Sequence, residues 1–364
     1  MKKSIKWFYP IIGKREQDNI KKVIKINYPN QGKFTKKFEK KISKIIKVKY
    51  AVAVPSGTVA LFMALKALGV GKNDNVVVPN LTFVATANAV AMSGAKVVLV
   101  DIDKKNLGIC LNSLKTIVKK KKIKAIIPVH ISGRGSNIFE VIKFAKKNNI
   151  TVIEDAAEAF FSKKKYFLGS IGDVGCFSFS PNKIITTGQG GAIVTNKKKI
   201  YLTLLKLRDQ GRIGKVTGGG EDKIVAHGYN FKFTNILSSV GLAQIQELLK
   251  RKKKLIWIHK MYIKNIKKSK KIKFFEFNLK NGEFPLWTDV YSSCRDKLIK
   301  TLSNEGIECR KFWKPLNTLP IYKKSFKNFP NSKFFLNKLF WLPSNFEMNK
   351  KEIIKICNKI NKYI

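Results

Sequence analysis

Acidic residues are scarce. The chain of 364 residues carries 23 Asp and Glu against 73 Lys and Arg, a formal net charge of +50. Arginine is scarce as well, since the basic side chains divide into 66 Lys and 7 Arg. A dedicated reader of nucleic acid uses Arg for two-pronged contacts to guanine and phosphate. The lysine excess therefore argues against specific nucleic-acid recognition and leaves weak, salt-sensitive adhesion to polyanions. No helix-turn-helix pattern and no basic run interleaved with aromatics supports a DNA-binding regulatory protein. Histidine occurs only as His130, His227 and His259, which argues against a metal site. Cys110, Cys176, Cys294, Cys309 and Cys357 form no C-x-x-C pair, so neither zinc nor a disulfide framework is expected, and a reducing cytosol fits. No run of about 18 uncharged apolar residues exists to span a membrane. The start, Met1 to Trp7, is basic but has no apolar stretch behind it, so no signal peptide is expected there and a cytoplasmic location is.

What is present is core. Hydrophobic residues make up 44% and aromatics 11% of the chain, enough for one large domain and a smaller one. Lysine is missing between Asn73 and Ala95 and between Ala125 and Ile142, and from Lys165 to Lys197 the single internal lysine is Lys183. A composition bias fills every tolerant surface position, so these gaps mark burial or chemistry. They contain alternating strand and helix signals. Strands are expected at 51–54, 76–78, 97–100, 125–129, 151–153, 175–179 and 192–194. Helices are expected at 58–68, 83–93, 138–147, 198–208 and 235–252. Short apolar strands interleaved with helices imply an α/β fold with a large, mostly parallel sheet covered by helices. After the lysine-rich stretch Arg251 to Lys254 the texture becomes strand-poor α+β, with a strand at 286–291, a helix at about 295–305 and a terminal helix from 350. The division expected is a large domain over 1–252 and a small C-terminal α+β domain over 253–364, on which the N-terminal segment can pack. Lysine runs at 119–122 and 163–165 read as solvated.

Three constellations stand out. Ser56-Gly57-Thr58 lies between a strand and a helix, where free N–H groups can meet an anion or where a hydroxyl can simply cap the helix. Glu154-Asp155-Ala156-Ala157-Glu158 ends a buried strand with three carboxylates, at the edge where α/β proteins collect ligands, or caps the next helix. Lys183 lies among small residues, from Ser178-Phe179-Ser180-Pro181-Asn182 to Thr186-Thr187-Gly188-Gln189-Gly190-Gly191. A lysine desolvated in a tight loop can serve as a nucleophilic amine, as a Schiff base requires.

In order along the chain, these motifs together resemble the DegT/StrS-type sugar-nucleotide aminotransferases, pyridoxal-phosphate enzymes of fold type I. The resemblance also rests on Gln31-Gly32, Val78-Pro79 with Thr82-Phe83-Val84-Ala85-Thr86, Asp101-Ile102-Asp103, Pro128-Val129-His130, Gly172-Asp173 and Gly228-Tyr229-Asn230. It is strong over residues 10–250 and weaker around Arg310, Pro315-Leu316 and Leu342-Pro343. Ala156-Ala157-Glu158 and Ile184-Ile185-Thr186-Thr187-Gly188 look most like GDP-perosamine synthases and similar 4-aminotransferases. The chain departs from the family pattern at Gln189, at Phe231-Lys232 and at Ile131-Ser132-Gly133-Arg134. These departures bear on the sugar rather than the cofactor.

The resemblance implies that Lys183 holds pyridoxal phosphate covalently and moves the proton, and that Asp155 pairs with the pyridine nitrogen and has its pKa lowered by that pair. Phe83 would stack on the ring, Ser56, Gly57, Thr58 and Ser178 would hold the phosphate, and Glu158 would meet the cofactor hydroxyl or the substrate. Asn230 would reach the phosphate of the neighbouring subunit, which makes the expected homodimer part of the site. L-glutamate would give the amino group, and a nucleotide-linked keto-deoxyhexose with a 4-keto group would receive it, for surface-polysaccharide sugar synthesis. Lys232 or Arg310 would face the diphosphate. Amination at carbon 3 is the alternative. Related enzymes that dehydrate the sugar carry His where this chain has Lys183.

Overall fold

The computed structural model describes residues 4–214 and 219–364. Met1 to Lys3, the head of the basic start, lie outside the described residues. Two helices come first, α1 (Lys14–Lys25) and α2 (Lys33–Ile46). Each is lysine-rich on one face and apolar on the other. In α2 the buried Phe38, Ile42 and Ile46 recur at the four-residue spacing of one helix stripe.

An alternating stretch follows: β1 (Tyr50–Val54), α3 (Gly57–Ala67), β2 (Asn75–Pro79), α4 (Ala85–Met92), β3 (Lys96–Val100), α5 (Leu111–Lys120), β4 (Ala125–Ile126), α6 (Ile138–Lys147), β5 (Thr151–Asp155), β6 (Val174–Ser178), β7 (Gly191–Thr195) and α7 (Lys198–Arg208). Their strands form one sheet in the order β1-β7-β6-β5-β4-β2-β3. Pairs from β3 across to β6 are parallel, whereas β7 runs against both of its neighbours, β6 and β1. No helix lies between β6 and β7, and the chain returns antiparallel through an open loop, whereas the equally helix-free stretch between β5 and β6 makes a parallel pair. That return loop carries Lys183. It starts at the carboxyl end of β6, beside the carboxyl end of β5 with Asp155 and the β1–α3 turn with Ser56. One sheet edge therefore gathers all three constellations.

Beyond the sheet come the hairpin β8 (Arg212–Ile213) and β9 (Lys223–Ile224), then α8 (Asn235–Gln246) and α9 (Leu248–Asn265). The single helix expected over 235–252 is thus two, parted at Glu247. The expected division at 252 falls inside α9, whose lysine-rich start still buries Leu248, Arg251 and Leu255. The remaining elements are β10 (Ile272–Phe274), β11 (Thr288–Ser292), α10 (Arg295–Asn304), β12 (Arg310–Lys311), α11 (Pro330–Phe335), β13 (Leu339–Leu342) and α12 (Lys350–Tyr363). The region expected to be poor in strands holds an antiparallel four-stranded sheet, ordered β10-β11-β13-β12.

The two sheets share their core. One apolar cluster runs from Phe38 and Phe177 near the first sheet to Trp287, Phe312 and Trp341 by the second. The first residues of the chain join the second sheet's side: Ile5 N–H donates to Gly306 O at 2.7 Å, and Ser344 N–H donates to Trp7 O at 2.8 Å. A buried ion pair also crosses over, with Arg134 Nη2 2.5 Å from Asp289 Oδ2.

Candidate active site

At the gathered sheet edge lies a cavity of about 600 Å³. Its floor comes from the first sheet. Ser56 accepts a hydrogen bond from Val59 N–H at 3.2 Å and so caps α3, whose first turn, Gly57 and Thr58, faces the cavity. Both readings of this turn, cap and anion site, are compatible in one geometry, because the cap satisfies one N–H and the helix dipole still favours an anion. Gly57 is needed here for room: a Cβ would stand 2.9 Å from the Cβ of Ser178.

Asp155 is 5% exposed. Its Oδ2 accepts from Thr86 Oγ1 at 2.8 Å and its Oδ1 from Ala157 N–H at 3.1 Å. Burial raises its pKa above the ordinary carboxylate value, opposed by the Thr86 bond, the Ala157 bond and the charges of Lys183 and His130. The protein alone therefore works against the lowering expected from a pyridinium partner, and that lowering has to come from the pyridinium itself. Glu158 is raised for the same reason, burial, against the pull of Lys183 and a 2.9 Å bond from Ser132 N–H. Lys183 is 9% exposed, with Nζ 3.4 Å from Glu158 Oε1 and 5.0 Å from the centre of the Trp287 ring. Glu154, the third acid of its motif, does not line the cavity. It binds His130 Nε2 at 2.7 Å and the backbone N–H groups of Gly169, Ile171 and Gly172, and so ties down the chain between β5 and β6.

The cavity brings together Ser56, Gly57, Thr58, Phe83, Asp155, Glu158, Ser178, Lys183 and Arg310. Two of the residues expected at the site are elsewhere. Lys232 Nζ donates to Asp209 Oδ1 at 2.7 Å and does not line its own chain's cavity. Asn230 is exposed on the strip that pairs with Asp209, outside its own chain's cavity. Sequence reasoning missed the far wall. Trp7, Trp287, Trp313 and Trp341 line the cavity with Lys311, and Phe83, half-exposed at its mouth, lies 5.7 Å from the Trp313 ring. Among the described residues there is no cluster of acids, His and Cys able to hold a metal ion.

A buried carboxyl whose charge a cation would restore, a secluded amine and a helix start with no room for a side chain suit a flat cationic ring bearing a phosphate. The comparisons with known proteins agree. The family model described as DegT/DnrJ/EryC1/StrS aminotransferase matches residues 10–361. The chain belongs to this aminotransferase family. It is 33% identical to a GDP-perosamine synthase of Escherichia coli O157:H7 over 370 aligned residues, covering 99% of each chain. Among solved structures, a DegT/DnrJ/EryC1/StrS aminotransferase from Brucella abortus superposes with a TM-score of 0.89 at 28% identity, over 96% of this chain and 95% of that one. The pyridoxal-phosphate form of a sugar aminotransferase described as putative, Spr1654 of Streptococcus pneumoniae, gives a TM-score of 0.89 at 25% identity, over 99% and 98%. The protein is a pyridoxal-phosphate-dependent aminotransferase.

Proposed function

We propose that this aminotransferase moves the amino group of L-glutamate to carbon 4 of a GDP-linked 4-keto-6-deoxyhexose, giving a GDP-perosamine-type sugar for surface polysaccharide. The observation that carries this reading is the match to a GDP-perosamine synthase over 99% of each chain.

Bound in the cavity, pyridoxal phosphate supplies an electron sink next to the carbon that loses its proton. Lys183 holds the cofactor through its amine. The same Nζ, when free, would act as the base and acid that moves the proton. Asp155, anchored by Thr86 and Ala157, keeps the ring nitrogen protonated. The first turn of α3 and Ser178 hold the phosphate, and Phe83 covers the ring. Arg310, on the exposed β12 rim of the cavity, meets the nucleotide diphosphate, since Lys232 is engaged by Asp209. A second copy of the chain completes each site. The exposure of Asn230, away from its own cavity, supports its use by a partner.

The test is a product assay with L-glutamate and a panel of GDP- and UDP-linked 4-keto sugars and a 3-keto counterpart, with the new C–N bond located by NMR. The GDP-linked 4-keto substrate is expected to lead in kcat/KM by about tenfold or more. Preference for a 3-keto or UDP-linked acceptor would overturn the substrate.

A further inference from the structure

Behind the lysine loop, outside the lining of the first cavity, a polar network lies at the base of a second cavity, open to solvent, that Ile11, Gly13, Glu16 and Arg251 help to line. Arg251 of α9 is 5% exposed, Gln244 of α8 is fully buried and Glu16 of α1 is 5% exposed. The Arg251 guanidinium donates from Nη1 to Ile184 O at 3.0 Å and to Gln244 Oε1, and from Nη2 to Ile11 O at 3.1 Å. Gln244 Oε1 also accepts from Thr186 N–H at 3.2 Å. Gln244 Nε2 donates to Ile11 O at 2.8 Å and to Glu16 Oε1 at 2.9 Å. Glu16 closes the network by accepting from Gly13 N–H at 2.8 Å.

Three features separate this network from ordinary packing. A buried cation is expensive, and here its charge is balanced by Glu247 and, through the neutral amide between them, by Glu16. The amide has no freedom either. Its oxygen faces two donors and its nitrogen two acceptors, so a flip would set its oxygen against Glu16 and Ile11 O. Finally, the network's targets on the loop are the first and third residues after Lys183. Ile184 O and Thr186 N–H are held from behind, while Thr187 N–H and Thr186 Oγ1 both donate to Phe179 O at 3.0 Å, at the end of β6. The loop is gripped on two sides, and Lys183 is its last residue before the grip.

We propose that Arg251 and Gln244 are positioning residues that fix the Lys183 backbone, and so set where its amine meets the cofactor. The inference rests on the reading of Lys183 as the cofactor-bearing lysine. It goes beyond that reading by assigning the lysine's placement to three helices remote from the cavity.

The test uses the difference between the two forms of the cofactor. The aldehyde form gains affinity from the Lys183 amine, whereas the amino form cannot bond to it. Cofactor is removed from the full-length protein, and the affinities for pyridoxal phosphate and pyridoxamine phosphate are measured separately. In Arg251→Met the aldehyde form should weaken by ten- to a hundred-fold more, on the order of what a displaced reacting group costs, while the amino form is held nearly as before. Arg251→Lys keeps the buried cation and one donor, and should recover part of the ratio. It also serves as the reading variant if Arg251→Met does not fold. Equal weakening of both forms, or none, would overturn the positioning role. Lys183→Ala is the control, and should abolish the preference altogether. If it leaves the preference intact, the assignment of Lys183 itself falls. If it abolishes the preference while neither Arg251 variant moves it, only the positioning role falls.

Discussion

Lys183 sits against Glu158 and Trp287, and its proposed chemistry follows from that setting. Lys183→Ala is expected to abolish transamination, because it removes both the proposed covalent anchor and the proposed proton carrier, while the proposed contacts of Asp155 and the first turn of α3 should still hold the cofactor. A burst-free, inactive protein that still retains cofactor on gel filtration is the expected outcome. Near-normal turnover would place the anchor elsewhere. This residue was legible in the sequence because a strong lysine bias stops on both sides of it. Asp155 and Glu158 were legible as carboxylates at a strand end. The tryptophan wall was not. Trp7, Trp287, Trp313 and Trp341 are scattered from one end of the chain to the other, and a lone tryptophan reads as core in any sequence. Thr86, which holds Asp155, carries no sign of that duty either, since Ser and Thr are common near helix starts.

Among the elements, strand and helix positions in the first sheet were legible because apolar runs alternated with stops such as Gly69, Pro79 and Gly94. Strand order and the reversal of β7 were not, since pairing is a long-range choice with no local mark. Helices α1, α2 and α5 escaped notice because lysine covers their outer faces and leaves only a narrow apolar stripe. The contact between α9 and β11 supports a separate prediction. His259 of α9 lies beside Thr288 of β11 and is 1% exposed, and burial together with the Arg134 charge lowers its pKa to about 4. The unfolded chain takes up this proton near pH 6.5, whereas the folded one resists it. Stability is therefore full above pH 6.5 and lost as pH falls toward 4, by about 3 kcal/mol from this group alone. Unfolding midpoints in urea should fall across that window, and His259→Gln should flatten the decline. An unchanged slope in the variant would exclude His259 as its source.

At the scale of the molecule, the proposed pairing of two chains can be tested by complementation. Asn230→Asp would set a carboxylate against the partner's cofactor phosphate and weaken binding. Mixed in equal amount with Lys183→Ala, with subunit exchange verified by a tag, half the dimers carry one chain of each kind. One site in such a dimer inherits both defects and the other inherits neither, so activity should return to roughly a quarter of wild type. No recovery would mean that each site is built within one chain.

The joining of Ile5 and Trp7 to the second sheet's side has a consequence for biosynthesis. A chain leaving the ribosome completes its first sheet once β7 has emerged, with Lys183 and Asp155 already at one edge. Trp7, made before the first sheet, must wait for Trp287 and Trp341, made after it, before the opposite wall exists; in the finished protein their rings lie 5.2 and 5.7 Å from it. A nascent chain thus carries Lys183 without the enclosure that shields it, until the stretch before the first sheet and the stretch after it meet and close the chamber.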